Sequence, residues 1–491
     1  MTTTDRLDTQ VIVVGAGPVG LLLAGELRLG GADVVVLEQR ATPTTESRAS
    51  TLHARTMELL DSRGLLDVFG TPPNEPRGHF GGIPMDLTLP SPYPGQWKMP
   101  QTRTEALLQE WALSLGVDIR RGHELREVSD RGDFVEATAA GPQGTVVVRG
   151  GFLVGCDGED STVRRLTGAE FPGNDAGREL LRADVAGVTI PNRRFERLPA
   201  GLAIAATRDG VTRVMVHEFG SKAEPRTGDP EFGEIAAVWK RVTGEDISGG
   251  TPLWANSFGD ANRQLTQYRS GRILFAGDAA HRQMPIGGQA LNLGLQDAFN
   301  LGWKLALHLG GSAPEGLLDT YHTERHEVGR RVLSNIRAQA MLLLGDLEVE
   351  PLRSVLTELL THDDVRAHLA GMISGLDIRY DVGGPEHPLL GARLPDAGLT
   401  TGEGPVNTAQ LLRTARGVLL DLSGGGAALP DTSGWADRVT VLPAAPEKDG
   451  ALDGVGAVLV RPDGHVVWAG APDTDGTGLR EALERWFGPS H

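Results

Sequence analysis

Cysteine is almost absent from this chain of 491 residues, in which Cys156 is the single example. One cysteine excludes an intramolecular disulfide, a cysteine zinc cluster and a CxxC redox pair. We therefore expect Cys156 to be a small buried residue, and no metal site is predicted. Aromatic residues are also scarce, at 5% of the chain, so composition predicts no cage of stacked rings around a ligand.

An excess of positive charge is lacking as well, because the net charge is −17. A surface for nucleic acid or for an anionic membrane needs a basic patch, so both kinds of partner are excluded. No apolar run approaches the roughly 18–20 residues of a membrane span. The first ten residues, MTTTDRLDTQ, lack the apolar core of a secretory signal. We expect a cytoplasmic enzyme that acts on a small molecule as a monomer or homodimer.

The chain is organised around residues 11–20, VIVVGAGPVG, where an apolar strand runs into a glycine-rich turn and a helix. Gly15 turns the chain sharply, Gly17 allows backbone to approach a pyrophosphate, and Gly20 lets the helix pack on the strand. A second strand ends at Glu38, where a carboxylate can accept both hydroxyl hydrogens of a ribose. Strand, turn, helix, strand and acid together predict a dinucleotide-binding unit.

A second strand and turn follow at residues 151–165, where GFLVG leads into CDGEDSTVRR. Asp157 and Gly158 form the turn, and Ser161 or Thr162 is predicted to cap the next helix. Residues 180–260 lack the β-α-β rhythm and are predicted to form a mainly antiparallel sheet. Within them, a helix is expected over 229–242, with Asp229 as its cap.

A third strand ends in Gly277-Asp278, which is followed by the run RQMPIGGQALN. Asp278 is well placed to bond a ribitol or ribose hydroxyl. His281 is interpreted as a packed or surface residue, with a catalytic role as the weaker alternative. Gly287 and Gly288 permit backbone to approach a flat ring, and a helix is expected to begin near Leu291.

Two helices, 317–344 and 352–369, are predicted next, and residues 391–491 have the strand and helix rhythm of a thioredoxin-like fold. Because this last unit contains no cysteine, it cannot be a dithiol redox module. We interpret it as structural or interfacial.

GAGPVG with Glu38, CDGEDSTVRR and GDAAHRQMPIGGQALN together resemble the group A flavoprotein monooxygenases, the p-hydroxybenzoate hydroxylase-like family. The resemblance is strongest to the branch of aromatic polyketide hydroxylases and rifampicin monooxygenase-like enzymes, and it covers nearly the whole chain. It implies an α/β fold in three parts. These are a Rossmann-like FAD-binding domain (1–75, 101–180, 261–385), an inserted mainly antiparallel β domain for substrate (76–100, 181–260) and a thioredoxin-like C-terminal domain (391–491).

The resemblance also implies the residues that contact FAD, several of them through their backbone. These are Gly15, Gly17, Pro18, Val19, Gly20, Glu38, Gln39, Arg48, Gln101, Leu125, Asp157, Gly158, Thr162, Gly277, Asp278, Gly288, Ala290, Leu291 and Asn292. One position departs from the family pattern, which has Gly-Gly-Gln-Gly where this chain has Ala290. The added methyl group is expected to narrow the loop or to favour one flavin position.

The chemistry implied by the resemblance belongs to the cofactor. NADPH or NADH reduces FAD, and O2 then gives a C4a-hydroperoxyflavin whose distal oxygen is attacked by an electron-rich aromatic ring. The backbone N–H groups of residues 286–288 are expected to stabilise the reacting oxygen, and Pro285, Gly287 and Gly288 are the candidate residues. Residues 285–288 are here called the flavin-side loop. Substrate is expected near His79, Phe80, Gly81, Met215 and His217.

Three alternatives remain open at the level of sequence. The same cofactor chemistry supports Baeyer–Villiger oxygenation of a ketone, and it supports oxidative inactivation of an aromatic antibiotic. A third alternative is a non-catalytic flavin-binding scaffold that uses the C-terminal domain as an interface.

Overall fold

The structure is a computed structural model that describes residues 5–45, 49–224, 226, 228–426 and 429–491. Strands and helices are numbered along the chain. The helices are α1 (Pro18–Leu29), α2 (Ala54–Asp61), α3 (Leu65–Phe69), α4 (Gln101–Ser114), α5 (Thr162–Thr167), α6 (Phe232–Thr243), α7 (Gln289–Leu309), α8 (Asp319–Leu344), α9 (Glu350–Leu359), α10 (Asp363–Ser374), α11 (Thr408–Leu411) and α12 (Leu479–Phe487).

The largest sheet has eight strands and follows the order β19-β20-β11-β1-β2-β8, with β10 and β9 continuing from β11. Its central strands β20, β11, β1, β2 and β8 are parallel. Residues 11–14 of β1 are buried, as expected for a strand that is covered on both faces. The strands are β1 (Asp5–Val14), β2 (Val34–Glu38), β8 (Asp118–Arg121), β9 (Glu124–Asp130), β10 (Val135–Gly141), β11 (Gly144–Gly155), β19 (Arg269–Ser270) and β20 (Ile273–Phe275).

Helix α1 packs very closely between α4 and α7. A Cβ atom added to Gly25 would lie 2.0 Å from the Trp111 ring of α4. One added to Gly302 of α7 would lie 2.5 Å from Cβ of Glu26. The glycines therefore set how near these helices approach each other, and so they fix the helix that begins at the first glycine turn.

A second sheet of five strands has the order β14-β15-β16-β13-β17 and is antiparallel throughout. Its strands are β13 (Glu179–Ala186), β14 (Arg193–Leu198), β15 (Gly201–Arg208), β16 (Val211–Glu218) and β17 (Thr251–Gly259). Helix α6 covers one face through Ile235 and Trp239. The prediction that Asp229 caps this helix was wrong, because the first helical N–H groups bond the carbonyl of Glu231 instead.

Residues 74–98 contribute strands to two small sheets, one of which also includes a strand from residues 51–53. Strand β7 (Gln96–Lys98) pairs with β3 (Thr51–His53) and β4 (Asn74–Glu75), and β5 (Arg77–Phe80) pairs with β6 (Ile83–Asp86). Among the described strands, none of these pairs with the five-stranded sheet. The grouping of 76–100 with 181–260 in one domain therefore stays a prediction. A further three-stranded sheet contains β12 (Gly173–Asn174), β18 (Asn262–Gln264) and β21 (His281–Arg282).

The predicted helix 352–369 is in fact two helices, α9 and α10, so that prediction was wrong. His362 has an extended conformation, with φ −87° and ψ 124°, and interrupts the helical backbone. Asp363 and Asp364 then occupy the first turn of α10, where carboxylates are favourable. In the part of the chain that the structure describes, no helix is long and apolar enough to cross a membrane.

The C-terminal unit is a mixed sheet of six strands with the order β23-β22-β25-β24-β26-β27. Its strands are β22 (Gly398–Thr401), β23 (Gly404–Asn407), β24 (Gly417–Asp421), β25 (Val439–Pro446), β26 (Ala457–Val460) and β27 (Val466–Gly470). The predicted core of strands and the closing helix are present, and the β22–β23 hairpin is an addition that the sequence did not predict. Arg461 extends from this unit into the first domain and bonds the Glu324 carboxylate at 2.6 Å.

Candidate active site

The first glycine turn leaves space on one side and none on the other. A Cβ atom on Gly15, which has φ +107°, would lie 2.4 Å from the carbonyl oxygen of Cys156. One on Gly20 would lie 2.0 Å from the Gly15 oxygen, whereas one on Gly17 would meet no atom of the described residues within 4 Å. Gly15 and Gly20 are therefore required for packing, and Gly17 opens the N-terminus of α1 to a ligand.

Glu38 lies at the carboxyl end of β2 and is tied to the same turn. Its Oε2 accepts the N–H of Ala16 at 2.8 Å, and its Oε1 accepts the N–H of Arg40 at 2.8 Å. These two bonds fix the carboxylate beside the glycine turn. Its contact with a ribose stays a prediction.

The turn at Asp157 and Gly158 is held by hydrogen bonds to the Asp157 carboxylate. Asp157 accepts hydrogen bonds from the Ser161 hydroxyl at 2.6 Å and from the Val163 N–H at 3.0 Å. Ser161 in turn accepts the Arg164 N–H and is the cap of α5, as predicted. Gly158 has φ +80° and open space around an added Cβ atom. The preceding Cys156 is buried, which raises the pKa of its thiol and confirms the interpretation of a small packed residue.

The turn at Gly277 and Asp278 contacts the first glycine turn directly. Gly277 has φ +64°, and a Cβ atom on it would lie 3.1 Å from the Val19 side chain. A Cβ atom on Gly294 of α7 would lie 2.8 Å from that same side chain. Asp278 follows and is exposed. His281 is fully buried against Asp297, which confirms that it is a packed residue.

The flavin-side loop is held by its carbonyl groups. Gly287 and Gly288 have φ of +64° and +72°. His53 donates from Nε2 to the Gly287 oxygen at 2.7 Å. Asn292 donates to the Gly288 oxygen at 2.7 Å and to the Thr51 oxygen at 2.9 Å. The loop backbone is therefore fixed between β3 and the first turn of α7.

The predicted backbone donors in this loop need correction. Pro285 has no N–H group, so it cannot donate a hydrogen bond. The N–H of Ile286 bonds the Met284 oxygen at 2.7 Å. The predicted role therefore narrows to Gly287 and Gly288. The helix that follows begins at Gln289, slightly before the predicted start at Leu291.

Several buried polar atoms around this loop have no hydrogen-bond partner among the described residues. Both polar atoms of Gln283 and of Gln289 are in this state, and so is Nδ1 of His53. Such atoms are normally paired in proteins, so a polar ligand or water is expected here. With the open space at Gly17 and Gly158, these groups fit a long dinucleotide that ends in a polar flat ring.

The other residues predicted to contact FAD lie in different elements and differ in how far they are buried. Gln101 begins α4 and donates its backbone N–H to the Ala49 oxygen at 2.8 Å. Leu125 is buried in β9, and Thr162 is the first residue of α5. Gln39 is exposed, Ala290 and Leu291 are half-buried in the first turn of α7, and Pro18 begins α1. Arg48 lies outside the described residues.

On the substrate side, Met215 of β16 lies in one apolar cluster with Met284 and Ile286. His217 is buried, and its ring nitrogens face the Glu179 oxygen at 2.8 Å and the Leu344 oxygen at 3.2 Å. Its ring therefore joins β16 to β13 and to α8. A direct contact of His217 with substrate stays a prediction that these bonds do not favour.

The segment around His79 is held by helix α8 and by β14. The His79 ring lies 4.1 Å from the Phe195 ring, and its Nδ1 accepts the Gly82 N–H at 3.2 Å. Gly81 donates to Gln339 Oε1 at 3.1 Å. Phe80 points away into a separate apolar cluster. His79 is therefore held against β14 and Gly81 against α8, whereas Phe80 packs in another cluster, and a contact of these residues with substrate stays a prediction.

Sequence reasoning missed two features of the site. His53 was not singled out, because nothing in its local pattern indicates a bond to residue 287. Phe195, Phe219 and Phe258 gather at the cluster that contains Ile286, although aromatic residues are scarce. Composition does not report where rings meet, and the expectation that no cage of stacked rings surrounds a ligand stays a prediction.

Comparisons with known proteins agree with this geometry. Residues 8–336 match the FAD binding domain family, and residues 387–490 match the C-terminal domain of aromatic-ring hydroxylases. A 12-dehydrotetracycline 5-monooxygenase/anhydrotetracycline 6-monooxygenase of Streptomyces rimosus is 41% identical over 98% of this chain and 99% of its own. A rifampicin monooxygenase of Streptomyces venezuelae is 42% identical over 97% and 98%. The crystal structure of CabE, an aromatic hydroxylase from angucycline biosynthesis, has a TM-score of 0.92 and 49% identity, covering 99% of this chain and 100% of that one.

The chain belongs to the family of FAD-binding aromatic-ring hydroxylases. It is an enzyme, an FAD-dependent monooxygenase with NAD(P)H and O2 as co-substrates. The resemblance seen in the sequence and the fold class are both confirmed. The individual FAD contacts and the domain boundaries stay predictions.

Proposed function

We propose that this enzyme adds one oxygen atom from O2 to a polycyclic aromatic substrate of the polyketide type. The observation that carries the proposal is an apolar cluster at the flavin-side loop. In it, Met284 next to the loop and Ile286 within the loop pack with Leu180, Met215 and Phe258. An apolar sheet face opposite a cofactor suits a large flat substrate. Relatives named for 12-dehydrotetracycline, anhydrotetracycline and rifampicin support the same substrate class.

The protein's contribution is to bind, orient and exclude water. FAD supplies the redox chemistry, taking up reducing equivalents from NAD(P)H and activating O2. His53 and Asn292 hold the flavin-side loop through its carbonyl groups. The apolar side chains of Met215 and Ile286 keep water away from the reacting atoms.

The test is direct. Purified protein should be yellow with bound FAD and should oxidise NADPH or NADH faster when a polycyclic phenol is added. Products formed under ¹⁸O2 should gain one labelled atom, and product NMR should show a new hydroxyl on a ring. A Gly17→Ala protein that has lost FAD is the matched control. A yellow protein that converts no phenol in the panel would contradict the proposal.

Inactivation of an antibiotic is the second candidate, favoured by the rifampicin monooxygenase relative. Rifampicin therefore belongs in the substrate panel, and expression in a sensitive host should raise its resistance if this candidate is right. Ring insertion of the Baeyer–Villiger type is distinguished by NMR, because both reactions add the same mass. We also retain the predictions of a cytoplasmic enzyme that acts as a monomer or homodimer, which rest on the sequence.

A further inference from the structure

A small cavity lies beside the flavin-side loop, between the start of α7, the middle of α8 and the end of α10. Its lining includes Gln289, Leu293, Val332, Asn335 and Ile373. The centre of a water molecule can reach about 30 Å³ of its interior, and one bound water needs roughly 10–15 Å³ of such space. The cavity therefore has the size for one or two water molecules and is too small for an aromatic ring.

Two buried carboxamides in the lining have polar atoms without a hydrogen-bond partner among the described residues. These atoms are Nδ2 of Asn335 and both Nε2 and Oε1 of Gln289. The two residues are only 5% and 4% exposed. Buried polar atoms are nearly always paired with protein or with ordered water. Because both residues line the same cavity, a molecule bound there can be the partner of both.

The orientation of the Asn335 side chain is fixed by a chain of hydrogen bonds that begins at a backbone group. The N–H of Gly81, at the tip of the β5–β6 hairpin, can only donate, and it bonds Oε1 of Gln339 at 3.1 Å. Nε2 of Gln339 then donates to Oδ1 of Asn335 at 3.0 Å. The Asn335 amide nitrogen is therefore the atom left for the cavity, and it needs an acceptor.

Gln289 connects the cavity to the flavin-side loop. It is the first residue of α7, and its Nε2 would lie 3.7 Å from a Cβ atom on Gly287. Its carboxamide offers an acceptor as well as donors. Asn335 and Gln289 do not bond each other directly. A water molecule, which accepts and donates at the same time, can satisfy both side chains.

The rest of the lining favours a neutral ligand. Leu293, Val332 and Ile373 offer no polar side-chain atom. The charged residues of the lining, Arg331 and Asp377, form an ion pair with each other and are partly exposed. Their charges are thus matched within the protein, and the cavity is accessible from the solvent beside them. These features suit water better than an ion.

We propose that the cavity binds a structural water molecule that bridges Nδ2 of Asn335 and the carboxamide of Gln289. The water completes a hydrogen-bonded path from the β5–β6 hairpin, through α8, to the residue that follows the flavin-side loop. Asn335 is thus a positioning residue, because it supports the loop through the water and Gln289. The inference depends on FAD binding by this family and not on the identity of the substrate.

A crystal structure of the FAD-loaded enzyme, at a resolution that shows ordered water, tests the site directly. The wild type should contain a water molecule within hydrogen-bond distance of Asn335 Nδ2 and of one polar atom of Gln289. Asn335→Leu has nearly the same shape but no donor, so the water should be absent from that variant. A wild-type cavity without this water, or a Gln289 carboxamide that bonds FAD and leaves the cavity, would overturn the proposal.

A double-mutant cycle tests whether the two residues act together on the cofactor. The FAD dissociation constant is measured by flavin fluorescence titration. Asn335→Leu and Gln289→Met should each weaken FAD binding about 3-fold to 10-fold, because each leaves the other carboxamide and its water unmatched. The double variant should bind FAD no more weakly than the weaker single variant, since removing both partners can be nearly neutral. Losses that multiply would show independent packing roles and would refute the bridge.

Two further variants give the cycle its control and its second route. Asn262 bonds the Leu333 oxygen of the same helix at 2.9 Å and lies outside the cavity lining, so the losses of Asn262→Leu and Gln289→Met should multiply. Gln339→Leu removes the donor that orients Asn335, and its loss should not multiply with that of Gln289→Met. This route remains usable if Asn335→Leu folds poorly, which near-ultraviolet circular dichroism shows.

The outcomes are independent of the proposed function, because no substrate is present in either experiment. If no polycyclic phenol stimulates NAD(P)H oxidation, the proposed function fails, and the water and the cycle still decide the proposal made for the cavity. If phenols are hydroxylated but the wild-type cavity holds no bridging water, only the proposal for the cavity fails.

Discussion

His281 and Asp297 form a hydrogen bond of 2.8 Å with both side chains fully buried. The same carboxylate accepts the N–H of Gly277 at 3.1 Å and Nε of Arg325 at 2.7 Å. Burial alone would raise the pKa of Asp297, but Arg325 and His281 hold the pKa below its usual value. The ionised Asp297 side chain of α7 thus connects the turn at Gly277 with Arg325 of α8.

Replacement of Asp297 by Asn should therefore affect both stability and cofactor binding. Removing one partner of a buried ion pair costs about 3–5 kcal/mol, which urea unfolding of the FAD-free protein would measure. Because the amide has a single oxygen for Arg325, His281 and the Gly277 N–H, the turn should be held less firmly and FAD affinity should fall about 10-fold or more. Asp319→Asn, which removes an exposed partner of Arg269, is the control. FAD affinity equal to that of the wild type would refute the role of Asp297 in positioning the turn.

Gly17 and Gly20 should respond to the same substitution in opposite ways. The Cβ atom of an alanine at Gly17 meets no atom within 4 Å in the described part of the chain, so the free energy of unfolding of the FAD-free protein should change by less than about 0.5 kcal/mol. FAD binding should nevertheless be lost, since the methyl group occupies space needed by the pyrophosphate. The Cβ atom of an alanine at Gly20 would lie 2.0 Å from the backbone oxygen of Gly15, so this substitution should impair folding itself. Loss of stability in Gly17→Ala would contradict this division of roles.

We expect Glu324 to stabilise the contact between the FAD-binding domain and the C-terminal domain. Its carboxylate accepts bonds from Arg461 at 2.6 Å and from Lys304 at 2.8 Å, and all three side chains are buried. Glu324→Gln leaves two buried cations without this carboxylate, so the free energy of unfolding should fall by about 3 kcal/mol or more. Glu327→Gln, at an exposed pair with Arg330, should cost less than about 1 kcal/mol. Chemical denaturation measures the free energy of unfolding of both variants.

The Glu324→Gln variant also tests how the free energy of unfolding depends on pH. Burial would raise the pKa of Glu324, but Arg461 and Lys304 lower it to about 2. A depressed carboxyl pKa stabilises the folded state above the unfolded value near 4.3 and loses that effect as the pH falls. The wild type should therefore lose stability more steeply than Glu324→Gln between about pH 5 and pH 3. Parallel slopes would contradict the assignment.

Much of the fold could be predicted because its motifs are local. Gly15, Gly277 and Gly288 each satisfy a demand of the adjacent backbone, either a positive φ or a close approach. Such demands leave a mark at fixed spacing in the sequence. The cap at Ser161 was predictable for the same reason, since a cap acts within one helical turn.

What the sequence could not predict depends on contacts between distant positions. Arg182 meets Asn256 and Trp254 only through the register of β13 with β17, and no short pattern encodes that register. Asp297 and Arg325 likewise lie on different helices. The break between α9 and α10 was missed because apolar residues continue at helical spacing on both sides of His362.

His53 yields the last prediction, since its ring supports the flavin-side loop from β3. Loss of its bond to the Gly287 oxygen in His53→Phe should loosen the loop, lower FAD affinity about 10-fold and release more hydrogen peroxide per NAD(P)H consumed. His53→Gln, which keeps a donor, should be milder, and His368→Phe on the exposed side of α10 is the control. Burial lowers the pKa of His53 to about 4, so the ring is neutral near pH 7 and the effect should be constant from about pH 6 to pH 8. A defect that disappears at one end of that range would mean that the charge of His53, and not its hydrogen bond to the loop, is what matters.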